Sequence, residues 1–227
     1  MTDIQAAAHD SGHKPHVAHQ FDDAVQQHDS AVLGMWTFLA TEVLFFGTLF
    51  TAYAIYRHLF FASFRFASEE HLKWYLGAIN TGVLLCSSLT VALSVHVAHE
   101  GNNKKLIRLL LLTMLLGVVF LCIKGTEYYL EYHEGAVPGR FFHPQPTSVP
   151  GVDLNHVQLF MTFYFIMTAI HATHMLIGLG LFSWLIWKAR KGEFTPEHYN
   201  PVEICGLYWH FVDLVWIFLF PMLYLIR

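Results

Sequence analysis

The sequence is poor in charged residues. Asp, Glu, Lys and Arg make up 13% of its 227 residues, whereas hydrophobic residues make up 55%. Soluble globular domains carry roughly 25% charged residues, so this composition argues against an ordinary soluble protein and indicates a chain that faces lipid. The formal net charge is −4. An acidic balance without a basic patch also argues against nucleic-acid binding.

Paired cysteines and a basic amino terminus are missing as well. The three cysteines, Cys86, Cys122 and Cys205, lie far apart in or beside apolar segments. They match no zinc or redox spacing, and we expect them to be inert core thiols. Residues 1–30 contain five aspartates and one lysine, unlike the basic start of a cleavable secretory signal. We therefore expect no processing in this region.

Long apolar segments are what the sequence does contain. Crossing a bilayer takes about 20 mainly apolar residues, and only helices satisfy the backbone of such segments in lipid. Five segments qualify, near residues 31–56, 74–98, 106–130, 156–187 and 203–226. The sequence therefore predicts an all-α, polytopic membrane protein with five transmembrane helices in residues 31–227. A polar, His-rich tail, residues 1–30, precedes them.

The distribution of basic residues predicts the orientation of these helices. With a cytoplasmic N-terminus, seven Lys and Arg residues fall on the inner side and five on the outer side. The positive-inside rule then places the C-terminus on the outer, periplasmic side. The histidines of the tail could bind a metal weakly, although a solvated tail or one lying against a partner protein is favoured over that alternative. They are His9, His13, His16, His19 and His28.

Glu42 interrupts the first apolar segment. A carboxylate at bilayer depth costs roughly 2.5 to 3.5 kcal/mol on insertion scales, so it needs compensation. On a helical wheel its face carries Phe38, Phe46 and Leu49, so its own helix offers no partner. It must meet a polar group on another helix or stay protonated. An interhelical hydrogen bond and a proton or ion site are both open.

Two further stripes of polar residues occupy the fourth and fifth segments. His171 and His174 share one helical face, with Gly178 one turn further along. Glu203 and His210 are seven residues apart and nearly eclipsed, while Asp213 projects to a different side. Antiparallel neighbours would let these stripes meet. The sequence thus predicts a mutually hydrogen-bonded His and Glu cluster, with Gly178 allowing close approach.

Two other interpretations concern ligands and the third segment. His171 and His210 could bind a haem between two helices, but Glu203 offers them a simpler partner, and we expect no metal on this chain. Lys124 and Glu127 are three residues apart near one end of the third segment. We expect these two to pair locally while they snorkel to the membrane interface.

Three motifs resemble subunit III of the haem-copper terminal oxidases. They are FLATEVLFFG at 38–47, FLCIKGTEYYLE at 120–131 and YWHFVDLVWIFLFP at 208–221, with IHATHMLIG at 170–178 in support. The resemblance implies an accessory, non-catalytic subunit that stabilises the catalytic subunit I and supports proton uptake. The oxidase itself reduces oxygen to water, coupled to proton pumping.

The resemblance also implies cofactors, partners and residue roles. Haems and copper would belong to partner subunits, and structural phospholipids would bind this chain. Subunit I would pack directly against it, with subunit II and a small subunit IV as further partners, in a cell inner membrane, bacterial rather than mitochondrial. The acidic and histidine positions of the family match residues of this chain, which implies a structural and lipid-shaping cluster. The matching residues are Glu42, His171, His174, Glu203 and His210.

One departure and several alternatives remain. The common form of the family has seven spans, whereas this chain begins at what would be the third, so another subunit could supply the missing pair. The motifs do not separate a cytochrome c oxidase from a quinol oxidase or from the related protein of nitric oxide reductase. A stand-alone membrane cytochrome or proton-coupled carrier, built on Glu42 and the histidines, is the alternative from another functional class.

Overall fold

The described part of the chain forms six α-helices. The computed structural model describes residues 21, 23–140, 142, 149–195 and 199–226. The helices are α1 (Ala24–Leu59), α2 (Phe61–His71), α3 (Trp74–His99), α4 (Asn103–His133), α5 (Leu154–Arg190) and α6 (Asn200–Tyr224). Five of them, all except α2, are long and apolar enough to cross a membrane. This confirms the all-α prediction with five spans, while the sidedness of the two ends stays a prediction.

The first helix begins earlier than the sequence indicated. Its N-cap is Asp23, whose side chain accepts a hydrogen bond from the backbone N–H of Gln26 at 2.7 Å. Such a cap satisfies one of the free N–H groups at a helix start, so the polar residues after Asp23 continue into the helix. The end of the predicted tail is therefore helical and includes His28. The other four tail histidines, His9, His13, His16 and His19, lie outside the described residues.

The short helix α2 was not predicted. Its 11 residues have balanced polarity and are too few for a span, so a search for long apolar segments passes over them. It lies between α1 and α3 in the chain and buries one face, which includes Phe64, Ala67 and His71. This face packs against α5, α1 and α6. The connection between the first two spans is thus a docked helix.

α6 is the central helix and α1 is the edge helix. In the most apolar window of each, 56% of α6 residues but only 11% of α1 residues are buried within the chain. α3 and α4 form an antiparallel hairpin, and α6 packs against α3, α5 and α1. Much of the α1 surface is therefore left for lipid or for another protein.

Glycines allow the central helix to pack closely. A Cβ built on Gly178 of α5 would lie 2.7 Å from the Trp209 ring of α6, and one on Gly117 of α4 would lie 3.0 Å from it. No real Cβ tolerates the first distance, so the indole of Trp209 occupies the space that these glycines leave. The predicted role of Gly178 in helix approach is confirmed.

Two hydrogen bonds, one from α1 and one from α2, hold the C-terminal end of α6 in place. Tyr53 of α1 donates a hydrogen bond to the carbonyl of Met222 at 2.6 Å, and Ser68 of α2 donates to the carbonyl of Leu223 at 2.7 Å. These side chains satisfy carbonyls that a helix end leaves free. They also tie α2 to the same end of the bundle as the C-terminal ends of α4 and α6.

Only one of the three cysteines is a core thiol. Cys205 is buried, whereas Cys86 and Cys122 are exposed on the outer faces of α3 and α4. The expectation of three buried thiols was therefore wrong for two of them. A free thiol behaves as a small hydrophobe, so an apolar helix face can carry it toward lipid as well as toward the core.

Candidate functional site

Glu42 meets a histidine of another helix. Its Oε2 lies 3.2 Å from Nε2 of His174 on α5, and the two side chains are 18% and 15% exposed. We call these two residues the edge pair, because α1 is the edge helix. The expectation that Glu42 finds a polar partner across helices is confirmed.

The edge pair is in contact without a hydrogen bond between its two members. Nδ1 of His174 lies 2.9 Å from the carbonyl oxygen of Ile170, and since a carbonyl only accepts, Nδ1 must carry a hydrogen. Oε2 of Glu42 is buried and has no hydrogen-bond partner among the described residues, so its 3.2 Å approach to Nε2 is a close polar contact and not a hydrogen bond. The edge pair is therefore only partly satisfied within this chain.

His171 lies in an aromatic environment. Its ring centroid is 5.5 Å from that of Phe120 and 5.2 Å from that of Trp216. In the described part of the chain neither of its ring nitrogens has a hydrogen-bond partner. Although His171 is one turn from His174, it faces the core, whereas His174 faces α1.

The polar residues of α6 face α3 and do not form the predicted cluster. Nδ1 of His210 lies 2.7 Å from the hydroxyl of Ser88, and Asp213 is buried without a hydrogen-bond partner among the described residues. Glu203, half-buried in the first turn of α6, has no hydrogen bond or ion pair to any histidine of the described segments. The single His and Glu cluster expected from sequence is therefore wrong in its pairing.

This arrangement gives no support to the haem alternative. A haem held between two helices needs histidines that face each other across open space. His171 is enclosed by Phe120 and Trp216, and His210 is bonded to Ser88 on α3. The two imidazoles therefore have different neighbours and do not face a common space.

Lys124 and Glu127 are the centre of a buried network. Nζ of Lys124 donates to Glu127 at 2.8 Å, to the Tyr164 hydroxyl at 2.9 Å and to the Tyr224 hydroxyl at 2.8 Å. The Tyr224 hydroxyl in turn donates to the second oxygen of Glu127 at 2.6 Å. We call these four residues the core network. It uses all three donors of the ammonium group.

The predicted snorkelling of Lys124 and Glu127 is wrong, although their predicted pairing is confirmed. The two residues are only 5% and 2% exposed. The physical reason is that α5 and α6 bring tyrosine hydroxyls to the ammonium group, so it need not reach the interface. Sequence reasoning missed Tyr164 and Tyr224. Their signal was depth: Tyr164 lies ten residues after the start of α5 and Lys124 lies nine residues before the end of α4, so an antiparallel bundle sets them side by side, and Tyr224 ends α6 on the same side.

A third polar group lies where α2 ends beside the end of α4. Nδ1 of His71 is 3.5 Å from Oε2 of Glu131 and 3.8 Å from Oε2 of Glu134. We call these three residues the end cluster. Burial lowers the pKa of His71, against the raising effect of Glu134 and Glu70. Its imidazole is therefore neutral near pH 7. None of the three was singled out from the sequence.

An apolar groove separates α1 from α6. It has a volume of about 200 Å³ and an opening toward the surface. Its walls are aromatic and aliphatic side chains from both helices, with Gly47 at one point. They are Val43, Phe46, Gly47, Phe50, Phe211, Leu214, Val215 and Phe218. The groove begins one turn from Glu42 and suits a hydrocarbon chain.

Comparison with known proteins gives a consistent set of matches. The family model described as "Cytochrome c oxidase subunit III" matches residues 16–137 and 156–226. "Quinol oxidase subunit 3" of Bacillus spizizenii is 30% identical over 215 residues, which cover 92% of this chain and 96% of that protein.

Two further relatives carry the other oxidase name. "Probable cytochrome c oxidase subunit 3" of Nocardia farcinica is 32% identical over 196 residues, covering 86% of this chain and 87% of that protein. "Cytochrome c oxidase subunit 3" of Gallus gallus is 30% identical over 202 residues, covering 84% and 67%. The matched region includes the edge pair, the core network and α6.

Proposed function

The chain belongs to the cytochrome c oxidase subunit III family, and we propose that it is the non-catalytic accessory subunit of a respiratory haem-copper oxidase. The observation that carries this proposal is the family match over residues 16–137 and 156–226, which is most of the chain. The protein is a membrane protein, and a bacterial inner membrane is the location we propose.

We propose that the exposed face of α1 packs against the catalytic subunit I. α1 carries several large apolar side chains at its surface, among them Trp36, Leu44 and Ile55. Lipid would also cover such a face, but the edge pair lies on the same helix and is partly exposed. A carboxyl group so placed favours a protein neighbour, because polar groups in lipid are costly. Subunits II and IV are further partners that the family suggests.

We propose that the edge pair supports proton uptake by subunit I. Glu42 and His174 both have side chains that can carry a proton, lie 3.2 Å apart and retain some exposure. Two such groups side by side at the edge of the subunit are suited to buffer protons for a neighbour. The core network lacks this property, because its donors and acceptors are already paired inside the chain.

We also propose that the groove between α1 and α6 holds a phospholipid acyl chain. Its lining is almost entirely apolar, and it opens beside the edge pair. A bound acyl chain would fill space that helix packing leaves and would hold the edge helix in place. Haems and copper belong, in this proposal, to the partner subunits.

Deletion of this chain tests the accessory role. An oxidase purified without it should show the same reduced-minus-oxidised haem spectrum as the complete enzyme, but its activity should decay sooner during continuous turnover. Turnover is measured with both a quinol and cytochrome c, because relatives with both names match. Unchanged turnover without the chain would contradict the stabilising role.

The purified chain alone tests the alternative from another class. An accessory subunit should show no haem absorption bands and should not move protons in vesicles. Haem bands or proton-coupled transport by the chain alone would overturn the accessory role in favour of a cytochrome or carrier.

A further inference from the structure

The end cluster has the geometry of a metal site. The imidazole nitrogen of His71 and one carboxylate oxygen each of Glu131 and Glu134 lie within 4.8 Å of one another. Zinc binds nitrogen and oxygen ligands at about 2.0 to 2.2 Å, so ligand atoms of a tetrahedral ion lie roughly 3.3 to 3.6 Å apart. The distance of 3.5 Å from His71 to Glu131 lies in that range, and the 3.8 Å from His71 to Glu134 is slightly longer.

The same distances are too long for hydrogen bonds. Those bonds join heavy atoms about 2.7 to 3.2 Å apart. Nδ1 of His71 and Oε2 of Glu131 accordingly have no hydrogen-bond partner among the described residues. The two side chains are only 9% and 3% exposed, so each is more than nine-tenths buried. Buried polar atoms are usually paired in native proteins, so these two atoms are available to a ligand.

The charges around the cluster favour a cation. Two glutamates face one imidazole, and no lysine or arginine of the described segments lies within ion-pair distance of Glu131 or Glu134. Lys73 and Lys124 act on Glu131 only from beyond ion-pair distance, and Lys124 already donates a hydrogen bond to Glu127. A divalent ion would balance both carboxylates.

Helix geometry holds the three ligands in place. Glu131 and Glu134 are three residues apart, so they share a face at the end of α4. His71 is the last residue of α2, and Ser68 anchors that helix by its hydrogen bond to the Leu223 carbonyl. Because Glu134 is 48% exposed, an ion has a path from solvent to the buried ligands.

We propose that His71, Glu131 and Glu134 bind one divalent transition-metal ion of the zinc type, joining the end of α2 to the end of α4. One imidazole and two carboxylates suit Zn²⁺, whose fourth position a water molecule would fill. The ion would serve the fold by locking the docked helix α2 onto the bundle. This proposal is independent of the accessory role in an oxidase.

Zinc binding to the full chain tests the proposal. The chain is purified in detergent with whatever subunits accompany it, stripped with a chelator and dialysed against buffered free Zn²⁺. Bound zinc is counted by mass spectrometry of the metal. The parent protein for these measurements has four tail histidines replaced by Gln, so that the tail does not compete for zinc. These are His9, His13, His16 and His19.

The parent should bind one zinc per chain with saturation, and each of three substitutions should weaken binding. His71→Gln, Glu131→Gln and Glu134→Gln each remove one ligand. Replacing a residue that only supports a metal ligand lowers metal affinity roughly 10- to 100-fold. Replacing a ligand itself should lower the zinc affinity by more than that. Glu134→Gln is the safest variant, because this residue is half exposed and the fold does not depend on its burial.

Two exposed positions supply matched controls. His96 faces Glu100 at 3.5 Å, the same distance as His71 from Glu131, but both side chains are largely exposed and only one carboxylate is present. His96→Gln and Glu69→Gln should leave zinc binding unchanged. X-ray absorption at the zinc edge should show nitrogen and oxygen neighbours at about 2.0 to 2.2 Å without sulfur.

Two results would overturn the proposal. If the parent binds no zinc at micromolar free Zn²⁺, the end cluster is only a contact between a neutral imidazole and two carboxyl groups. If the parent binds zinc but Glu134→Gln and His71→Gln bind it equally well, the ion lies elsewhere on the chain.

Discussion

The core network and the edge pair both bury a carboxyl group in a membrane helix, yet they satisfy it differently. Glu127 accepts from Lys124 and from Tyr224, and Lys124 uses all three of its donors. Among the described residues, Glu42 has one ion-pair partner, His174, and remains 18% exposed. The first group is complete within this chain, whereas the second is not.

This difference separates structural from functional charge in the molecule. A fully bonded buried ion pair is a weak source of stability, but removing one member of it is strongly destabilising. The edge pair is only partly satisfied, so it contributes little to the stability of the fold. Its free hydrogen-bonding positions remain available to a neighbouring subunit. Substitutions at four positions, Glu127, Tyr224, Glu42 and Glu69, with matched control variants, test whether the two groups divide their roles in this way, and they are given in order of expected effect.

Glu127→Ala should have the largest effect. It leaves the buried ammonium of Lys124 without its counter-charge, for which a loss of about 3 to 5 kcal/mol in the free energy of unfolding is typical. That free energy is measured by titrating SDS into mixed micelles of the purified chain. A loss below 1 kcal/mol would show that the core network does not hold the helices together.

The double variant Lys124→Met, Glu127→Ala is the control for this prediction. Removing both charges leaves no unpaired ion, so it should be less destabilising than Glu127→Ala alone. A double variant as unstable as the sum of the two single variants would mean that their mutual pairing is not the source of the effect.

Tyr224→Phe should have an intermediate effect. The hydroxyl accepts a hydrogen bond from Lys124 and donates one to Glu127, and bonds to charged groups contribute about 1.5 to 3 kcal/mol. Tyr164→Phe removes only an acceptor for Lys124 and should be milder. The same SDS titration compares them. Equal losses for both variants would contradict the role of the Tyr224 hydroxyl as the bridge.

Glu42→Ala should destabilise the isolated chain less, by about 1 to 3 kcal/mol at most, because the carboxyl is partly exposed and has one partner. Glu42→Gln should stay within about 0.5 kcal/mol of the parent, since its amide can donate to Nε2 of His174. The Gln variant cannot exchange a proton, however.

Turnover of the assembled oxidase separates the two variants of Glu42 in function. If proton exchange by Glu42 matters, Glu42→Gln should lose activity during turnover as fast as Glu42→Ala despite its intact fold. A Gln variant that turns over as steadily as the parent would assign Glu42 to packing alone.

The helices followed from composition and length, because lipid imposes both. Five apolar segments became five helices, and the pairing of Lys124 with Glu127 followed from their spacing. Their burial did not follow, since it depends on which side chains α5 and α6 bring to that depth. Helical spacing gives a residue's neighbours on its own helix, but not the rotation of the helix against its neighbours.

The same limit explains the histidines and the end cluster. His171 and His174 share a helix face in sequence, yet small differences in angle turn one toward Trp216 and the other toward Glu42. The end cluster joins residues 60 positions apart through α2, a helix too short and too polar to be predicted. Rotation and short connections are fixed by packing, which a single sequence does not display.

Glu69→Gln should have the smallest effect and sets the scale for the others. Glu69 accepts a hydrogen bond from Nε of Arg65 at 3.0 Å on the surface of α2, and both side chains are about half exposed. Such pairs contribute about 0 to 1 kcal/mol, because water and salt screen them and ordering two long side chains offsets the gain. If Glu69→Gln and Glu42→Ala lower the free energy of unfolding equally, the edge pair is energetically a surface pair. The three pairs Lys124–Glu127, Glu42–His174 and Arg65–Glu69 all have their charged or ionisable atoms within 3.2 Å of each other. Their difference in stability would then come from how deeply each pair is buried.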